Sequence, residues 1–169
     1  MTTNGPRIAP GTRKEVGLLG FVVSWVSGRV SGTGPPNLFL TLGRNRKLFR
    51  GWLHFAGRLM PGGRLPRRET EMIILRVAHA RECAYEIAHH THLAQRAGVD
   101  DSAPTARDEV LLHATDELLA TRDLSDAAWD ALGQYLDDRE RLEFLFLVGH
   151  YDMLATTINT LRVETDARR

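Results

Sequence analysis

The apolar residues of this chain recur at intervals of three and four positions, and they do not alternate with polar residues over any sustained stretch. A period near 3.6 residues is typical of helices that bury one face, whereas a period of two is typical of strands. The pattern therefore predicts an all-α protein, a single-domain bundle of six to eight helices.

Glycine, proline and capping residues divide the first third of this pattern into segments. We expect a loose arm at the N-terminus, then a helix over residues 13–30. Residues 38–60 are helical in composition, with a break near Gly43 and with Asn37 as a candidate N-cap after two prolines. A proline- and glycine-rich turn follows and ends this part of the chain.

The middle of the chain contains a long run without proline or glycine, residues 67–97. This run is long for one helix of a globular protein, so we expect two helices with a break near residues 80–83. Gly98 is suited to end the second helix, because glycine readily adopts the left-handed conformation that follows a helix.

Three further helices are expected in the last part of the chain. They are predicted over residues 106–121, 126–136 and 138–164, and Ser125 is a good N-cap for the second of them. On the final helix we expect six residues to face inward: Leu142, Leu145, Phe146, Gly149, Met153 and Leu154.

Length and composition narrow the class of protein. The 169 residues fit one domain, and a hydrophobic fraction of 43% is enough for a packed core. The formal net charge of +1 gives no overall attraction to nucleic acid or to an acidic membrane. A basic patch at Arg44, Arg46, Lys47 and Arg50 lacks interleaved aromatic residues, so we interpret it as a solvated helix face. We therefore expect neither a nucleic-acid nor a membrane partner.

The longest apolar stretch and the single cysteine bear on the compartment. Residues 16–26 are too few to span a bilayer, and we interpret them as part of a first helix packing on the body rather than as a signal peptide. Cys83 is the only cysteine, which excludes an internal disulfide, a dithiol pair and a cysteine-rich zinc site. A reducing cytoplasm is the simplest location.

The candidate chemistry lies within residues 67–97. At about 100° per residue, Glu86 and His90 fall inside the apolar arc of the second helix, with Cys83 beside them and Tyr85 on the wetter side. Glu71 lies on a core-facing surface of the first helix. Because an isolated buried carboxylate costs several kcal/mol, these groups either neutralise each other or line a pocket with perturbed pKa values. A simple helix-face pair of Glu86 and His90 remains an equal alternative.

Two other chemistries are weaker. Five potential ligands cluster in sequence, but no His-x-x-x-His pair is present, so we expect no metal site and no cofactor. Cys83 is more often a small buried hydrophobic residue than a nucleophile. A helix that starts beside it would lower the pKa of its thiol, which leaves reactivity open.

These residues resemble the pattern of the carboxymuconolactone decarboxylase family, within the superfamily that includes the alkyl hydroperoxidase D proteins. The resemblance covers most of residues 35–162 and is strongest in PPNLF at residues 35–39, in residues 62–99 and at Asn159. It implies an all-helical domain over residues 35–164, preceded by an arm and helix over residues 1–34. It also implies assembly into a homo-oligomer, as a trimer, hexamer or dimer.

The peroxidase branch of that family has Glu, then twelve residues later Cys-x-x-Cys, then His four residues further on. Here Glu71, Cys83 and His90 take the positions of the glutamate, the first cysteine and the histidine. Glu86 stands where the second cysteine would be, and Tyr85 precedes it, as is typical of decarboxylase-like members. This chain therefore cannot form the disulfide of a dithiol peroxidase.

The resemblance implies an acid–base lyase that acts on a small carboxylated or lactone-like molecule. His90 would donate or shuttle the proton, Glu86 would orient it, and Glu71 would complete the relay, with burial able to hold it neutral. Tyr85 and Arg76 are weaker candidates for substrate contact. An ion pair of Arg76 with Glu69 or Glu82 is the simpler interpretation of that arginine.

Two alternatives remain open. Cys83 alone could reduce alkyl hydroperoxides through a sulfenic acid, with an external thiol as the resolving partner. The chain could also be a non-catalytic helical interaction module on the same fold.

Overall fold

The structure is a computed structural model that describes residues 5–100 and 102–167. Within these residues the protein contains eight α-helices and no strand, which confirms the all-α prediction. The helices are α1 Arg13–Ser31, α2 Asn37–Leu42, α3 Arg46–Leu59, α4 Arg67–Ala80, α5 Ala84–Arg96, α6 Ala106–Thr121, α7 Asp126–Gly133 and α8 Asp138–Leu161. None of the helices described is long and apolar enough to cross a membrane.

The chain divides into two compact units. One comprises the residues up to Ala56 together with those from Thr156 onward, and the other comprises Gly57–Ala155. The boundaries between the units fall inside α3 and α8. The sequence-based domain boundary after residue 34 stays a prediction.

The first unit is built around α1, which packs against α2. Gly17 has a φ of 75° and interrupts α1 after its first turn. This break leaves carbonyl groups without helical donors, and the guanidinium of Arg46 donates to the carbonyls of Glu15 and Lys14. Phe49 and Trp52 of α3 stack with their ring centroids 5.8 Å apart and form the aromatic core of this unit with Phe39.

One sequence-based expectation for this unit is wrong. Pro36, not Asn37, is the N-cap of α2, and Asn37 is the first residue of the helix. The Asn37 backbone amide donates to the Asp166 carboxylate at 2.8 Å, and its side-chain amide donates to the carbonyl of Glu164 at 3.0 Å. Asn37 therefore holds the C-terminal segment rather than capping a helix.

The second unit is centred on α4, which packs against α5 and α6. Ile73, Ile74 and Val77 of α4 are fully buried. The break between α4 and α5 falls at residues 81–83, where sequence had placed it, and Glu82 adopts a positive φ of 49°. Gly98 follows α5 with a φ of 90°, as predicted for a residue that ends a helix.

The inward face predicted for α8 is largely wrong. Leu142, Phe146 and Met153 are 55%, 58% and 53% exposed. The buried residues of this helix in the second unit include Phe144, Leu147, Val148 and Tyr151. Because α8 carries large apolar residues on more than one side, its sequence alone does not select the buried face.

Candidate active site

A buried imidazole lies between two buried carboxylates where α4 meets α5. His90 and Glu86 are one turn apart on α5, and Glu71 reaches them from α4. His90 Nδ1 is 2.7 Å from Glu71 Oε2, and His90 Nε2 is 3.1 Å from Glu86 Oε2. The three residues are only 0% to 4% exposed. The structure thus brings together the three residues that sequence analysis had ranked first.

The two carboxylates determine the charge of His90. Burial by itself would lower the pKa of the imidazole, because it penalises the charged form. The hydrogen bonds that the ring donates to Glu71 and Glu86, together with the negative charges of these carboxylates, outweigh burial and raise the pKa of His90 to about 9. His90 is therefore an imidazolium at neutral pH, with a proton on each ring nitrogen and a carboxylate facing each proton.

Arg67 completes the cluster on its solvent side. Its Nη2 lies 2.5 Å from Glu71 Oε1, an ion-pair contact whose angle is not that of an aligned hydrogen bond. The Arg67 side chain is 41% exposed, whereas Glu71 is fully buried. The buried Glu71 carboxylate therefore lies between two basic side chains, Arg67 on one oxygen and His90 on the other. Sequence analysis missed Arg67, although its spacing of four residues before Glu71 is a usable signal.

Helix α8 supplies two further groups that sequence analysis missed. The Tyr151 ring meets the His90 ring edge-on, with centroids 5.3 Å apart and planes at 90°. Burial raises the pKa of Tyr151 well above its usual value, so its hydroxyl stays protonated. His150 is also buried, and burial lowers the pKa of its imidazole. No local spacing connects α8 with α5, so only tertiary contact reveals these groups.

Cys83 is the N-cap residue of α5 and is fully buried. Burial raises the pKa of its thiol, and the nearby charge of Glu86 acts in the same direction. Backbone N–H groups of Glu86 and Tyr85 lower the pKa, as expected at a helix start, but their effect is smaller. The thiol therefore stays protonated at neutral pH and is a poor nucleophile.

The two weaker site candidates lie elsewhere than expected. Tyr85 is 5% exposed rather than turned outward, and its ring stacks on His89 with planes 8° apart. Arg76 makes a two-pronged ion pair with Asp116 of α6, at 2.6 and 2.5 Å, instead of pairing with Glu69 or Glu82. Arg76 was expected to bind a substrate carboxylate through two hydrogen bonds. In the structure those two hydrogen bonds go to the carboxylate of Asp116.

No three His, Cys, Asp or Glu side chains of the described residues converge in a way that could hold a metal ion. At the cluster itself, both ring nitrogens of His90 are taken up by carboxylates.

Comparison with known proteins identifies the family of this chain. The profile of the carboxymuconolactone decarboxylase family matches residues 46–133, more than half of the chain. The protein belongs to this family. The matched residues include Glu71, Cys83, Glu86 and His90, so the carboxymuconolactone decarboxylase profile spans the cluster.

Solved structures share the fold over nearly the whole chain. An uncharacterized peroxidase-related protein from Silicibacter sp. TM1040 has a TM-score of 0.82 at 16% identity, covering 99% of this chain and 96% of its own. The debrominase Bmp8 has a TM-score of 0.79 at 16% identity, with coverages of 95% and 92%. The alkylhydroperoxidase AhpD core protein from Ralstonia eutropha JMP134 has a TM-score of 0.73 at 19% identity, with coverages of 94% and 92%. Among proteins of curated function, none matches this sequence.

Proposed function

We propose that this protein is an enzyme that protonates carbon in a small carboxylated or lactone-type molecule, using Glu71, His90 and Glu86. The observation that carries the proposal is that each ring nitrogen of His90 lies on a buried carboxylate. Such a group holds a proton that is available at neutral pH and is replaced after each turnover.

The reaction class follows from the strength of this acid. When a carboxylate next to a lactone or keto group leaves as carbon dioxide, the carbon–carbon bond breaks and its electron pair stays on the substrate as an enolate. An enolate carbon is a strong base, so an imidazolium with a pKa near 9 is acidic enough to protonate it. One proton and the carboxylate are consumed, and carbon dioxide and a C–H bond are formed.

Each member of the cluster has a distinct part. Glu86 faces Nε2 of His90, so it orients the ring and relays the proton that leaves. Glu71 faces Nδ1 and compensates the positive charge of His90. Arg67 pairs with the other oxygen of Glu71 and, with a side chain that is 41% exposed, marks the side from which the proton is replenished. A substrate contact of Tyr85 remains a prediction, as do the homo-oligomeric state and the cytoplasmic location.

The test follows proton delivery directly. The protein is incubated in D₂O with a panel of carboxylated lactones and β-keto acids, while carbon dioxide release and deuterium incorporation are measured by NMR. We expect turnover in the wild type, and a decrease of about 10²–10⁴-fold in His90→Gln. His113→Gln is the matched control, because the His113 side chain is 76% exposed on α6. Equal activity of the two variants would contradict the proposal.

Cys83 separates this proposal from hydroperoxide reduction. In Cys83→Ser we expect the acid–base activity to survive. If the variant instead loses a thiol-dependent reduction of alkyl hydroperoxides that the wild type performs, the protein is a one-cysteine peroxidase. The alternative of a non-catalytic interaction module is tested by ¹⁵N NMR. If the His90 imidazole titrates near pH 6.5, like an ordinary histidine, the carboxylates do not hold a proton on it at neutral pH and the alternative is favoured.

A further inference from the structure

Helix α1 reverses the usual arrangement of small and large residues. Its buried face consists of Val16, Gly20, Ser24 and Gly28, one residue per turn. A Cβ atom on Gly28 would lie 2.0 Å from the carbonyl oxygen of Gly34, so the backbone approaches closely here. The small residues allow this approach, and five large apolar residues of the helix are left exposed.

The outer side of α1 is a continuous apolar stripe. Five side chains on it are between 43% and 62% exposed: Leu18, Leu19, Val22, Trp25 and Val26. They fall within an arc of about 120° and extend over about 12 Å of helix. Arg29 lies on the same arc, with its guanidinium carbon 3.9 Å from the centre of the Trp25 ring. We call these five side chains the α1 stripe.

An apolar cavity lies beside the α1 stripe, between α1 and α3. It has a volume of about 580 Å³, and its lining includes Leu18, Leu19, Val23, Phe49, Leu53 and Arg50. The apolar surface therefore continues from the outer side of α1 into a depression wide enough for a hydrocarbon chain.

The charges around this surface are almost all positive. Residues 5–56 contain eight Arg or Lys residues and a single acidic residue, Glu15. Glu15 is already paired with Arg44 at 2.7 Å. Lys47 and Arg50 on α3 are exposed next to the cavity. The near-neutral charge of the whole chain conceals this concentration of cations in residues 5–56, although the C-terminal segment of the same unit adds Glu164 and Asp166.

These charges bear on what covers the α1 stripe. If two copies of the chain paired through the same face, their cations would lie opposite one another, since a twofold contact juxtaposes identical patches. A partner with an apolar interior and an anionic surface can contact both the apolar side chains of the α1 stripe and the cations beside them. Amphipathic helices with Leu, Val and Trp on one side and Arg or Lys at the margins bind such surfaces by lying in the headgroup region.

We propose that α1 and the start of α3 form a binding surface for anionic phospholipid membranes. The α1 stripe enters the boundary between headgroups and acyl chains, and the cavity takes up an acyl chain. Arg29, Lys47 and Arg50 bind the phosphates. This proposal differs from the expectation, drawn from net charge, that the protein has no membrane partner, and the experiment below decides between the two.

The test is sedimentation of the full-length protein with vesicles of phosphatidylcholine alone or mixed with phosphatidylglycerol. We expect binding to the mixed vesicles only, and a decrease in the bound fraction as salt is added, because salt screens the contact with phosphate. Binding should shift the fluorescence of Trp25 to shorter wavelength, and Trp25→Phe should remove that shift. Binding that does not depend on phosphatidylglycerol would overturn the proposal.

Three variants locate the binding surface. The double substitution L18S/V22S should weaken binding to mixed vesicles by about tenfold or more, since affinity scales with the apolar area inserted. Lys47→Gln and Arg50→Gln should each weaken it about fivefold. Leu142→Ser is the matched control, because Leu142 is similarly exposed on α8, and it should bind like the wild type.

Sedimentation equilibrium tests the competing occupant, a second copy of the chain. If the wild type is an oligomer that L18S/V22S dissociates, and the vesicles pellet without protein, the α1 stripe is a subunit interface and the proposal is wrong. If wild type and control bind vesicles while the double variant does not, and all three have one oligomeric state, the proposal holds. Circular dichroism verifies that each variant is folded.

Discussion

The buried cluster of Glu71, Glu86 and His90 between α4 and α5, and the apolar stripe on α1, are opposite exceptions to one general rule of burial. Charged groups are normally exposed and large apolar groups buried. At the cluster, Glu71, Glu86 and His90 are buried, whereas on α1 the leucine, valine and tryptophan side chains face outward. The cluster compensates for its exception internally, because every buried charge has a partner within 3.1 Å. On α1 the five side chains of the stripe stay between 43% and 62% exposed, although the Arg29 guanidinium lies over the Trp25 ring.

The comparison distinguishes two kinds of exception. Buried charges whose partners lie in the same chain contribute to stability, so a substitution that removes one of them should lower the free energy of unfolding. Exposed apolar side chains with no such partner should be replaceable in the folded monomer with little loss of stability. Their replacement should matter only when a binding partner is present. The following predictions test this distinction, from the largest expected effect to the smallest.

Glu71→Ala should have the largest effect. It leaves His90 buried with one carboxylate and removes the partner of Arg67, and breaking a buried ion pair typically costs about 3–5 kcal/mol. Urea unfolding at neutral pH measures the loss. Asp116→Ala is the control, because the Arg76–Asp116 pair is 48% and 42% exposed and should be worth less than about 1 kcal/mol. Similar losses in both variants would show that the cluster is no more important than a surface pair.

The stability of the protein should fall between pH 6.5 and about 9 because of His90. The folded-state pKa of this imidazole is about 9, above the unfolded value of about 6.5. The stabilisation is therefore fully present below pH 6.5 and is lost as the pH rises through 9, with a magnitude on the order of 3 kcal/mol. Urea unfolding across this range measures it. His90→Gln should flatten the profile, and an unchanged slope in the variant would contradict the assignment.

Gly28→Ala should destabilise the protein by about 1–3 kcal/mol, because the new methyl group would overlap the backbone of Gly34. Gly51→Ala on α3 is the matched control. A Cβ atom at Gly51 has no other atom within 4 Å, so alanine should stabilise that helix by up to about 1 kcal/mol. Thermal unfolding measures both changes. Equal effects at the two glycines would show that α1 does not depend on its small-residue face.

Leu18→Ser should have the smallest effect on stability, within about 0.5 kcal/mol, because its side chain is 62% exposed. Urea unfolding at low protein concentration provides the measurement. A large loss would mean that the α1 stripe is needed for folding, and the contrast between the two regions would then disappear.

Much of the site was predictable because its members are close in sequence or belong to one family pattern. Glu86 and His90 are one helical turn apart, and Glu71 matches the spacing of the family pattern. The two helices and these three residues could therefore be predicted without knowledge of the contact between the helices. Tyr85 was misplaced because it lies at the first turn of α5, close to the turn after α4, where burial depends on neighbouring segments as well as on the helix face.

The sequence by itself determined the helices and where they break, because glycine, proline and capping residues act locally. It also singled out Glu71, Glu86 and His90, which the structure brings into contact. Only the tertiary structure decided the rest: the contacts of His90 with Tyr151, the partner of Arg76 on α6, and the face of α8 that is buried. These depend on residues far apart in the chain, and a helix that is apolar on several sides does not specify which of them meets the core.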